Sequence, residues 1–192
     1  MSLNHRVVRC PLAHPQPVKR IMYYKVIEKF GPEDGERWSD YLKWRGLHLT
    51  RFESVDGVMR GDLFEPKSNE DWQNCVQEDF KISLITNFEY AKKVQKQYEN
   101  AEIVGIDFPE EICYEASPEL LGFDLLDSHL DISMLTNWGT DEEGIFSHLI
   151  MENGLLCDLA EAFRIRDILR TQFPEDHHAQ ECQVCAIYRI SS

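Results

Sequence analysis

The sequence predicts an α+β fold: a mostly antiparallel sheet with an Asp-Gly hairpin, packed against several helices. Three observations lead there. Apolar runs of strand length occur at 22–29, 102–107 and 184–190. Apolar residues recur at helical spacing in the segments between them. Elements of the two kinds do not alternate as the strict βαβ units of a doubly wound sheet would require.

Residues 1–21 carry Arg6, Arg9, Lys19 and Arg20, three prolines (Pro11, Pro15, Pro17) and no apolar period, and read as a basic, flexible leader. Residues 22–192 then form a single acidic globular domain, a size able to bury a core without disulfide or metal staples. Segment 22–29 is the first strand, and Gly31-Pro32 breaks it. Residues 33–45 read as a helix with acids in its first turn and Trp38, Tyr41, Leu42 and Trp44 on one side, closed by Gly46.

Val55-Asp56-Gly57-Val58 carries the signal of a two-residue hairpin turn, joining strands at about 47–55 and 58–65. That register would set Glu53 opposite Arg60 and Arg51 opposite Asp62, two favourable cross-strand pairs. Ser68 then reads as the N-cap of a helix bearing Trp72, Cys75 and Val76. Residues 81–86 form a short strand, and Asn87 caps a helix with Phe88, Ala91, Val94 and Tyr98 in one stripe.

Pro109 stops the strand at 102–107. Leu121, Phe123 and Leu125 alternate as in a further strand, and 132–135 is another. A short helix fits 141–151, and the longest helical pattern runs from Leu155 to a stop at Pro174. The three Trp in helical patterns, Trp38, Trp44 and Trp72, are expected in or against the core.

Charge is the most informative feature of composition. The chain has 20 Lys and Arg against 34 Asp and Glu, a formal net charge of −14. Between Lys96 and Arg164 there is no Lys or Arg, while sixteen acids intervene. Such crowding argues against direct nucleic-acid binding, which needs clustered Lys and Arg. It favours a basic protein partner. The candidate interaction residues are Asp124, Asp127, Asp131, Trp138, Asp141, Glu142 and Glu143, with Trp138 as an aromatic anchor.

No apolar run approaches the length of a membrane span, and no secretory signal is present, so a cytoplasmic location without membrane contact is expected. The six cysteines are then read as reduced thiols.

Two chemical sites stand as alternatives. His177, His178, Cys182 and Cys185 offer donors for Zn²⁺. If the last strand starts near Cys182, however, residues three apart point to opposite faces and cannot share an ion. Asp124, Asp127, His129, Asp131 and His148 offer carboxylates and imidazoles for a metal-dependent hydrolase. Their spacing matches no known loop, and the acids read as solvated turn residues. No nucleophile elbow, phosphate-cradling loop or dinucleotide fingerprint is present. The preferred expectation is a non-enzymatic, inhibitor- or immunity-like interaction domain without a cofactor. A small-ligand-binding regulatory domain is the remaining alternative.

Overall fold

The computed structural model describes residues 22–78, 81, 83–109, 119–137 and 146–190. In chain order the elements are β1 (Tyr23–Glu28), α1 (Pro32–Trp44), α2 (Gly57–Arg60), α3 (Asn69–Asn74) and α4 (Phe88–Gln95). They are followed by β2 (Ala101–Asp107), β3 (Leu120–Leu126), α5 (Leu159–Gln172), α6 (His177–Glu181) and β4 (Gln183–Arg189). The strands form one sheet in the order β1-β2-β4-β3, with every pair antiparallel. The fold is α+β.

The two faces of this sheet are covered differently. Val26, Ile103, Tyr188, Ala186, Val184, Phe123 and Leu125 point to one face, beneath α4 and α5. The other face carries Ile27, Val104, Ile106, Ile187, Cys185 and Leu126, packed under irregular chain that includes Val55, Leu130 and Leu155. Irregular chain carries backbone groups that pair with no helix or strand of its own, so polar partners must be supplied from the sheet beneath it. Lys25 and Asp124 stand on this second face, each fully buried.

Helix starts follow the local chemistry. Ser68, Asn87, Asp158 and Asp176 each accept a hydrogen bond from a first-turn N–H of the helix that follows. Both sheet edges are partly closed by isolated bridges: Ile85 and Asp62 lie along β1, Leu156 and Ser133 along β3. In β3 the register shifts between Leu120 and Gly122, where Gly122 has φ +150 and a Cβ would stand 2.7 Å from the Leu156 carbonyl oxygen.

The expected hairpin at 47–55 and 58–65 does not form. Asp56 is instead the N-cap of α2, its carboxylate accepting from the Met59 N–H at 2.8 Å, and Gly61 at φ +77 ends that single turn. An Asp-Gly pair suits a helix start as well as a hairpin turn, and here tertiary contacts choose the former. The chain beyond Gly61 pairs back onto β1, with Leu63 N–H donating to Val26 O. The cross-strand charge pairs are therefore replaced: Arg60 binds Glu102, Asp62 binds Lys25, and Glu53 binds Arg189 as well as Arg51.

Smaller differences are of the same kind. In place of strands, the described residues of 81–86 and 132–135 contribute isolated bridges: Ile85 to both Tyr24 and Cys75, and Ser133 to Leu126. The last long helix begins at Leu159, because Leu156 exchanges hydrogen bonds with Phe123 of β3. Of 141–151, only Ser147–Leu149 is seen as a turn of 3-10 helix, the part before 146 lying outside the described residues. The leader at 1–21 lies outside them too. Trp44 and Trp72 are exposed rather than packed, at 47% and 43%.

Candidate functional site

Two features stand out: a buried polar network on the loop-covered face of the sheet, and a cleft at one end of the sheet.

The network is built from groups that satisfy the irregular chain. The Lys25 ammonium donates to Leu130 O at 2.6 Å and to Val55 O at 3.5 Å, and pairs with Asp62 at 3.0 Å and Asp131 at 3.6 Å. Asp124 accepts from the Ser54 hydroxyl and the Ser133 hydroxyl, each at 2.6 Å. Asp56 accepts from the Ser133 N–H at 2.9 Å and the Asn137 amide at 3.2 Å. Burial pushes the Asp124 carboxyl up to about 6, against the lowering effect of its two serine bonds. Burial also raises Asp56 and Asp62, with Lys25 opposing the rise in both.

Asp127 closes the loop that follows β3. One carboxylate oxygen accepts from the N–H groups of Asp131 and Ile132, at 2.9 and 3.1 Å. The other faces His178 Nδ1 at 3.2 Å and His129 Nδ1 at 3.7 Å. Asp124 and Asp127 are thus interior residues that brace loops, not solvated turn acids, and neither can be presented to a docking partner. Asp131 remains half exposed. Trp138, Asp141, Glu142 and Glu143 lie outside the described residues.

The hydrolase candidates do not share a focus. Asp124 binds serines, Asp131 lies beside Lys25, Asp127 lies between two imidazoles, and His148 is exposed on the 3-10 turn, where it acts on Glu161. The zinc candidates are separated as well. Cys182 packs in the core under α5 and Cys185 in the core on the opposite face. Burial raises both thiols, Cys182 to about 11. His177 and His178 lie side by side in α6 with their rings tilted and 4.0 Å apart. Among the described residues, no three His, Cys, Asp or Glu side chains gather to hold one ion.

The cleft has a volume of about 1080 Å³. It lies between α1 with the 47–53 segment on one side and α4 on the other, over the start of β2 and the end of β4. It exists because Leu42 of α1 packs with Leu47, Phe52 and Met59 in a separate small core rather than into those of the sheet. Among the described residues its lining includes Lys29, Lys43, Arg51, Arg60, Lys92 and Arg189, but only two acids, Glu53 and Glu102.

No family model, curated protein or solved structure matches the chain.

Outside the cleft the balance of charge is reversed. Lys67, Lys81, Lys93, Arg164 and Arg166 are each paired with a nearby carboxylate. Glu33, Glu36, Glu99, Glu152, Glu175 and Glu181 are exposed and have no ion-pair partner among the described residues. No described helix is long and apolar enough to cross a membrane.

Sequence reasoning missed Lys25, Ser54, Asp56 and Asp62 as network members. The one available signal was a charge set within an apolar strand: Lys25 before Val26 and Ile27, and Asp124 between Phe123 and Leu125.

Proposed function

We propose that the chain is a non-enzymatic protein-interaction domain whose acidic exterior binds a basic protein partner, in the manner of an inhibitor or immunity protein. The observation that carries this is the segregation of charge. Lys25, Arg45 and Arg60 are buried, and several other cations line the cleft. The exterior elsewhere is left with the unpaired glutamates of α1, α6 and the connecting loops. Such a field speeds encounter with a cationic protein and repels nucleic acid.

An aromatic anchor accompanies it. Trp44 is exposed at the end of α1, its ring 5.9 Å from that of Tyr41, on the helix that carries Glu33, Glu36 and Asp40. An exposed Trp backed by a half-buried Tyr on an acid-bearing helix suits the centre of an interface with a Lys- and Arg-rich surface. A cytoplasmic location belongs to the same proposal, supported by the free thiols of Cys75, Cys157, Cys182 and Cys185.

The commitment of Asp124 and Asp127 to loop backbone and serine hydroxyls supports binding over catalysis. The test is capture by the tagged full chain at low salt, elution by rising salt, and calorimetry on the partner identified by mass spectrometry. A strongly basic protein binding one to one, and weakened by Trp44→Ala, is expected. A neutral or acidic partner, or one indifferent to Trp44→Ala, would overturn the proposal.

A further inference from the structure

We propose that the cleft between α1 and α4 is a binding site for a small amphiphilic anion, an apolar molecule ending in a carboxylate or phosphate. The charge of its lining is opposite to that of the chain. Both acids in the lining are already engaged: Glu102 with Arg60, and Glu53 with Arg51 at 3.7 Å and Arg189 at 2.8 Å. Two guanidinium groups sharing one carboxylate leave a net positive charge. Their side chains remain 54% and 58% exposed, with N–H edges free for a second anion. Glu53 holds this pair in place and is itself fixed by the Asn153 amide at 3.0 Å. Lys29 and His48, also in the lining, have no ion-pair partner among the described residues.

The rest of the lining supplies an apolar body site. Phe30 stacks on Phe52 at 4.7 Å with Leu49 packed against the same small core, and the half-buried Leu121 and Ile190 also line the cleft. The volume, about 1080 Å³, lies just above the range of small-molecule sites, on the order of 300–1000 Å³. A small molecule fits better than an acidic protein, because the acidic exterior repels a large anionic surface far more than a single anionic group.

The test uses the full chain and the fluorescent acid 11-(dansylamino)undecanoate, with dodecanoate, dodecyl phosphate, dodecanol and dodecylammonium as competitors. Saturable binding of one probe per chain is expected, displaced by the two anions and not by the alcohol or the amine. Replacing the head-group partners, Arg51→Gln with Arg189→Gln, should weaken binding at least tenfold. Filling the cleft by Ser39→Trp should abolish it, with circular dichroism showing both variants folded. No saturable binding by the native chain would overturn the proposal. So would undiminished binding by either folded variant, or displacement by the amine as readily as by dodecanoate.

Discussion

Lys25 and Leu130, 105 residues apart in the chain, are joined by a 2.6 Å hydrogen bond from a buried ammonium to a main-chain carbonyl oxygen. Leu130 has φ +60, a conformation costly for a leucine, on the order of 1–2 kcal/mol. Lys25 from below and Asp127 from within the loop hold the backbone there. The loop-covered face of the sheet is therefore fixed by polar groups as much as by its apolar core.

Lys25→Met should destabilise the fold by about 3–5 kcal/mol, because it leaves the Leu130 carbonyl and the Asp62 carboxylate buried without their cation. Urea unfolding measures this. Adding Asp62→Asn should recover part of the loss, since the stranded charge is then removed as well.

Asp124 gives a pH dependence with a defined sign. Its carboxyl rises from 3.8 to about 6 on folding, so the folded state holds the proton more tightly. The group's contribution is fully present below pH 3.8 and is lost as pH rises to about 6. The change is on the order of 3 kcal/mol. Asp124→Asn keeps partners for both serines and cannot ionise. The variant should match the native chain near pH 4 and exceed it in stability at pH 8. A difference that stays constant with pH would remove Asp124 as the cause.

Asp56→Ala removes the cap of α2 and the acceptor for the Ser133 N–H together. A loss of about 2–4 kcal/mol is expected, with about 1 from the cap and the rest from the stranded donor. Thermal unfolding measures it, and a loss below that of a simple cap would show that water replaces the carboxylate at Ser133.

Thiol reactivity should follow burial. Cys157 is exposed, whereas Cys75, Cys182 and Cys185 are buried with raised thiols. Iodoacetamide at pH 8, read by peptide mass spectrometry, should modify Cys157 rapidly and the other three only on unfolding.

Much of the fold was legible because its signals are local. Strands β1, β2 and β4, the helix after Gly31, and the caps at Ser68 and Asn87 stand where the periodicity and capping chemistry put them. The Asp56-Gly57 turn was not, since the same dipeptide serves a hairpin and a helix start, and the choice rests on Ser133 and Asn137 far along the chain. Asp124 was misjudged for a related reason. Alternation put it opposite Phe123 and Leu125, but not what would cover that face. The cleft depends on α1 packing against its own small core, a relation between segments that no periodicity records.

The acidic exterior as a docking surface is tested most directly by the association rate of the captured basic partner as a function of ionic strength. The rate should fall steeply between about 0.05 and 0.5 M salt, as the Debye length shrinks below the reach of the field. A rate unchanged across that range would contradict electrostatic recognition and leave the excess of surface glutamates without a role in binding.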